Sequence, residues 1–153
     1  MKTRLLLLFI FLGSAVFPGQ TQTYLLSADR VFDGREVHGD WVVLVREDRI
    51  IAAGPESRLD IPTGVERIEL PGHTLMPGMI EGHSHVLLHP YNETPWNDQV
   101  LKESEAERVA RGTVHLRRSL DAGFTTMRDL GSEGAGYADV GLKQAVDKGV
   151  IPG

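Results

Sequence analysis

Two histidines separated by one residue, His83 and His85, are the side chains in this chain best suited to chemistry. They follow a Pro-Gly break at positions 77–78 and a short apolar run, a pattern typical of a β-strand. Side chains alternate between the faces of a strand, so both imidazoles are expected on one face. Two such imidazoles can bind one divalent metal at ~2.0–2.1 Å. The alternative is a half-exposed strand in which histidine alternates with small residues by chance.

The segment before these histidines predicts a small β-rich unit. Short runs of β-branched and aromatic residues alternate with turn signals such as Asp33-Gly34 and Glu47-Asp48, and prolines mark the loops. About fifty residues of this kind cannot form a large core alone. The predicted strands are 24–26, 30–32, 41–45, 49–54 and 65–70.

The segment after these histidines changes to helical periodicity. Residues 97–120 predict one helix that Gly123 stops, 124–127 predict a strand, and 137–148 predict a second helix ended by Gly149. A strand, helix, strand, helix order with glycines at the helix ends indicates parallel βα units.

Three stretches resemble the metal-dependent amidohydrolase superfamily. Residues 77–85 (PGMIEGHSH) resemble its first barrel strand, and residues 121–131 (DAGFTTMRDLG) resemble the second strand of its imidazolonepropionase-like and Xaa-Pro-dipeptidase-like branch. Residues 145–153 resemble the approach to the third strand in that branch. Glu81 departs from the pattern, in which aspartate is commoner at this position, and this puts the geometry of its carboxylate in question.

The resemblance implies an α/β fold: the N-terminal part of a small β-sandwich, followed by the first two βα units of a truncated TIM-type (β/α)8 barrel. Residues 23–73 would belong to the incomplete sandwich and residues 74–153 to the incomplete barrel. A closed barrel takes eight βα units and typically ~250 residues. We therefore expect the 153-residue chain to be the front of a longer protein and to be inactive, poorly soluble or partly unfolded alone.

The same resemblance implies the metal site. His83 and His85 would bind one ion, most simply zinc, of a mononuclear or binuclear centre. The other ligands (a Lys or Glu and two His) and the general-base Asp would come from later strands. Such a metal lowers the pKa of a bound water from 15.7 to about 7 and polarises the scissile carbonyl.

Further residues near the two strands are candidates for support of the site. Glu81 would share the face of the histidines and steady them. His89 would lie in a loop, as a substrate contact or as a solvated side chain. Asp129 would either orient a ligand histidine or cap the loop before Gly131, and Arg128 is expected to pair with a nearby carboxylate. His115 is expected on the surface of the predicted helix, while His38 and His73 are expected in turns or on the surface.

The first 22 residues predict a secretory signal peptide. Lys2 and Arg4 precede an apolar run from Leu5 to Val16, which is shorter than the ~20 residues that span a bilayer. We therefore expect a secreted or periplasmic protein without a stable membrane anchor. The chain has no cysteine, so metal ligands must be histidines, carboxylates or a modified side chain.

Three functions fit the sequence. The first is an exported hydrolase that cleaves a non-ester C–N bond in a peptide or a cyclic amide and, at full length, could form a homo-oligomer. The second keeps the fold and the metal but deaminates a heterocycle. The third is a non-catalytic exported binding or scaffold domain. A small molecule or peptide is the expected partner, because the net charge of −5 disfavours nucleic acid.

Overall fold

A computed structural model of the chain describes residues 22–153. The predicted signal peptide lies outside these residues except for Gln22. The chain divides between Leu75 and Met76 into two compact units, close to the boundary expected after His73. Among residues 22–153, no helix has the length and apolar character needed to cross a bilayer.

The first unit is a five-stranded sheet. Strand β1 pairs antiparallel with β2 and β3, β3 pairs antiparallel with β4, and β5 pairs parallel with β1. The predicted strands 24–26 and 30–32 are one continuous strand, and the strand predicted at 65–70 continues to Leu75. The strands are β1 (Thr23–Phe32), β2 (Val37–His38), β3 (Trp41–Arg46), β4 (Arg49–Pro55) and β5 (Glu66–Leu75).

Alternating side chains give this sheet its buried face. Leu25 of β1 lies opposite Leu44 of β3 in the antiparallel register, and both are almost completely buried together with Val42. Ala52, Leu59, Ile61 and Val65 pack against these three residues. Whether further strands complete a sandwich remains a prediction.

The hairpin between β1 and β2 turns at Asp33, as the Asp-Gly signal predicts. Its Oδ1 accepts the N–H groups of Arg35 and Glu36 at 2.8 and 2.9 Å, and its Oδ2 lies 2.9 Å from Nε2 of His38. These bonds, the one from Glu36 N–H first, lower the pKa of Asp33 to about 2. His38 also stacks on Trp41 with ring centres 3.7 Å apart, so it is half-buried in β2.

The second unit has the predicted strand and helix order. Strand β6 pairs parallel with β7, with Met79 opposite Phe124 and Glu81 opposite Met127. Helix α3 ends just before Gly149, which has a φ of 67°. The elements are β6 (Met79–Ser84), α1 (Trp96–Leu101), α2 (Glu105–Asp121), β7 (Phe124–Asp129) and α3 (Ala138–Asp147).

The single helix predicted over 97–120 is wrong. The chain forms α1 and α2, separated by residues 102–104. Ser104 caps α2 because its Oγ accepts the N–H of Glu107 at 3.2 Å. Serine three residues before glutamate is the capping-box pattern, which outweighs helical periodicity at this point.

The core of the second unit forms where the chain leaves β6. Val86, Leu87, Ala135 and Leu142 are buried together, and five partly buried residues pack against them. Gly112 of α2 lies against this cluster, where a Cβ would be 2.8 Å from Leu142 Cδ1. The glycine therefore lets α2 approach Leu142 of α3 closely. The packing residues are Val109, Leu116, Met127, Ala138 and Ile151.

Candidate functional site

The end of β6 places the two histidines next to each other. His83 lies in the strand and is exposed, whereas His85 follows directly after the strand and is half-buried. Their ring centres are 5.5 Å apart, with an angle of 70° between the ring planes. Two imidazoles that share one tetrahedral ion through bonds of ~2.1 Å have ring centres roughly 5 Å apart. The observed spacing is compatible with a shared ion.

The hydrogen bond of His85 determines which ring nitrogen is available. Nδ1 lies 3.0 Å from the carbonyl oxygen of Gly131 and 3.6 Å from Oε1 of Glu133. The carbonyl oxygen can only accept a hydrogen bond, so Nδ1 is the donor, and in the neutral ring Nε2 is the nitrogen with the free lone pair. Metal-binding histidines generally donate the other N–H in this way.

Asp129 at the end of β7 connects the two loops that follow the strands. Its Oδ2 accepts the N–H of Val86 at 2.9 Å, and its Oδ1 accepts the N–H of Gly131 at 2.8 Å. Asp129 therefore caps the loop before Gly131, which is one of the two roles expected for it. The Gly131 carbonyl in turn accepts a hydrogen bond from His85. Asp129 therefore holds the residue that binds this histidine.

The carboxylate of Glu81 binds the backbone of the histidine strand, whereas the side chain of Arg128 is exposed. Oε1 of Glu81 accepts the N–H of His83 at 2.9 Å. The Arg128 carbonyl accepts the hydroxyl of Ser84 at 3.1 Å, while its guanidinium is exposed and forms no ion pair with a carboxylate of residues 22–153. The expectation that Arg128 pairs with a carboxylate stays a prediction.

A cavity of about 830 Å³ opens beside the histidine pair. His83 and His85 line it together with His89 and His115. The expectation that His115 is a surface residue is wrong: its Nδ1 lies 2.9 Å from the carbonyl of Val86, and its side chain faces the cavity from α2. Helical spacing predicted that His115 lies on the solvent face of the helix, because spacing alone does not show that the turn after β6 packs against that face.

His89, in the loop after β6, lines the same cavity. Its ring centre is 6.2 Å from that of His115, and Nδ1 lies 3.6 Å from a carboxylate oxygen of Glu93. Gln99, which has no exposed surface, holds this loop. Its amide accepts the N–H of His89 at 2.6 Å and donates to the carbonyls of His89 and Thr94.

Sequence reasoning missed Gln99 and two arginines of α2. Arg108 is 2% exposed and donates to the loop after β7, and Arg111 lies 2.7 Å from Glu103 Oε2, although the angle is poor for a hydrogen bond. Arg108 lies inside the helix predicted over 97–120, and helical periodicity alone does not show that it is buried.

Residues 22–153 hold no group of three or more His, Asp or Glu side chains that could bind a metal. As metal ligands, the two histidines would be half of a four-coordinate site.

No family model matches the chain. The 5-methylthioadenosine/S-adenosylhomocysteine deaminase of Symbiobacterium thermophilum is 30% identical over 132 residues, an alignment that covers 76% of this chain and 30% of that protein. A solved amidohydrolase is 27% identical, with a TM-score of 0.68 over 86% of this chain and 30% of its own. A prolidase solved with N-methylphosphonate-L-proline is 28% identical, with a TM-score of 0.66 over the same shares.

The chain is similar in sequence and fold to members of the amidohydrolase superfamily. The resemblance of residues 77–85 and 121–131 to this superfamily is thereby confirmed. The chain spans about 30% of the length of the proteins it matches.

Proposed function

We propose that this chain contributes to a metal-dependent hydrolase that cleaves a non-ester C–N bond in a peptide or a cyclic amide. The observation that carries the proposal is the histidine pair at the end of β6, with Nδ1 of His85 occupied by the Gly131 carbonyl and Nε2 left available. The carboxyl ends of parallel strands are where catalytic residues gather in barrels of this type.

In this proposal His83 and His85 bind one divalent ion, most simply zinc, and the remaining ligands and the general base belong to the whole protein. The ion would supply an activated water and polarise the scissile carbonyl. Glu81 holds the backbone at His83, and Asp129 holds the two loops around His85. His89 and His115 line the cavity in which a substrate would lie.

The similarity to the prolidase supports a small proline-containing peptide as the substrate class, because that prolidase was solved with a phosphonate derivative of proline. Deamination of a heterocycle is the second candidate. The 30% identity to the S. thermophilum deaminase supports this second candidate.

A hydrolysis assay on the whole protein tests both candidates. Xaa-Pro dipeptides, cyclic amides and adenosine derivatives would be compared, with release of amino acid or ammonia as the readout. We expect hydrolysis of an amide substrate that a chelator abolishes and added zinc restores. His83→Ala and His85→Ala should lose at least 100-fold in kcat/KM, a loss of about 2.7 kcal/mol or more in transition-state stabilisation.

His73→Ala is the matched control, because His73 is an exposed histidine of β5 in the other unit. It should keep the activity of the unmodified protein. Activity on adenosine derivatives alone would favour the deaminase. Chelator-resistant activity, or full activity of both histidine variants, would contradict the metal-dependent mechanism.

We also propose export through the N-terminal segment. Expressed in an exporting host, the protein should lose roughly its first 15–22 residues, as a signal peptide does. N-terminal sequencing of the mature protein measures this, and a retained Met1 would contradict it.

A further inference from the structure

Arg108 of α2 is a buried cation whose guanidinium donates hydrogen bonds to the backbone of a loop. It is 2% exposed, and its Nη2 donates to the carbonyls of Ser132 and Glu133 at 2.7 and 2.9 Å. Charged side chains are almost never fully buried without partners. These two charge-assisted bonds tie α2 to the loop that follows β7.

The loop that Arg108 binds contains a residue in an unfavourable backbone conformation. Glu133 has a φ of 50°, a left-handed conformation that is uncommon for a residue other than glycine and persists when its surroundings hold it. Besides Arg108 on its carbonyl, Trp96 Nε1 donates to its carboxylate at 3.2 Å. Asp129 fixes the start of the loop through the N–H of Gly131.

This loop carries the acceptor that orients His85. The Gly131 carbonyl directly precedes Ser132, whose carbonyl Arg108 binds, and Gly131 accepts from Nδ1 of His85 at 3.0 Å. We propose that Arg108 is a positioning residue: it holds the 131–133 loop so that His85 keeps its proton on Nδ1 and presents Nε2 to the site. This inference rests on the proposed function, because the orientation of Nε2 serves metal binding. The tautomer itself can be measured without metal or substrate.

The test is nitrogen NMR of the metal-free whole protein with ¹⁵N-labelled histidine. The measurement is made at about pH 8.5, above the usual histidine pKa of ~6.5, and His85→Gln assigns the signal. We expect His85 to have a protonated Nδ1 and an unprotonated Nε2. Arg108→Met should give a mixture of both tautomers, and zinc affinity from chelator competition should fall 10–100-fold, the usual effect of losing an orienting partner.

Arg108→Lys keeps the charge and can donate to the same carbonyls, so it should restore the Nδ1–H tautomer and most of the affinity. Arg117→Met is the matched control, because Arg117 is an exposed arginine of α2 that pairs only with Asp121 among the described residues. It should leave both measurements unchanged.

A folded Arg108→Met protein with the original tautomer and the original zinc affinity would overturn the proposal. If Arg108→Met does not fold, Asp129→Ala decides, because it removes the carboxylate that accepts the N–H of Gly131 in the same loop. A mixed His85 tautomer in this variant supports the proposal, and an unchanged tautomer overturns it. Absence of zinc binding by the unmodified protein would contradict the proposed function, while the tautomer comparison would still decide the role of Arg108.

Discussion

Gly78, which precedes β6, offers a sharp test of the β6–β7 pairing. A Cβ at this position would lie 2.0 Å from Oγ1 of Thr125, 2.3 Å from its Cγ2 and 2.6 Å from its Cβ. Rotation of the threonine side chain can move the first two atoms but not the third, which is fixed to the backbone of β7. Gly78→Ala therefore requires the two strands to move apart.

The cost follows from two opposing terms. Overpacking costs about 1–3 kcal/mol, and contacts with backbone-fixed atoms belong at the upper end of this range. Replacing glycine by alanine in extended backbone returns about 0.5–1 kcal/mol of chain entropy. We expect a net loss of about 2 kcal/mol in the free energy of unfolding of the second unit.

Urea denaturation measures this change. Trp96 reports on the second unit if Trp41 is replaced by phenylalanine, since these are the two tryptophans of the chain. With a typical urea slope of about 1–3 kcal/mol per molar, the midpoint should fall by roughly 1 M. Thr125→Ala should not rescue Gly78→Ala, because the Cβ atom remains, whereas Thr125→Gly should.

Gly82→Ala is the matched control within β6, since its Cβ would meet nothing within 4 Å. It should change the free energy of unfolding by no more than about 0.5 kcal/mol. Equal stabilities of the Gly78→Ala and Gly82→Ala proteins would refute the close approach of Gly78 to Thr125 and the strand pairing derived from it.

Two further predictions concern the loop after β6 and the hairpin of the first unit. Gln99→Leu removes the partner of three backbone groups at His89 and Thr94, and should cost about 1–3 kcal/mol. It should also speed amide hydrogen exchange at His89, and unchanged exchange there would contradict the role of Gln99. Because the pKa of Asp33 is lowered to about 2 from 3.8, the stabilisation from this carboxylate is present above about pH 3.8 and is lost as the pH falls through about 2. Carboxyl NMR titration measures this pKa, and an ordinary aspartate value would contradict the hydrogen bonds of the turn.

Local pattern predicted the elements that position the histidines. The Pro-Gly break and the apolar run gave β6, and the glycine after α2 gave the start of β7, because each signal acts over a few residues. The order of strand, helix and strand also predicted the parallel pairing of these two strands, in agreement with the family resemblance.

Contacts between distant segments account for what the sequence did not predict. His115 faces the cavity because the Val86 carbonyl, far away in sequence, lies against α2. The burial of Arg108 depends on a loop 24 residues later in the chain. The division of the predicted helix, by contrast, had a local signal in Ser104 and Glu107, which helical periodicity obscured.

The measurement that tests the central claim most directly is elemental analysis of the purified whole protein and its histidine variants. The proposal that His83 and His85 share one ion predicts that His83→Ala and His85→Ala each lose one metal equivalent relative to the unmodified protein. His73→Ala should keep it. Unchanged metal content in both site variants would contradict the metal site and, with it, the proposed hydrolytic mechanism.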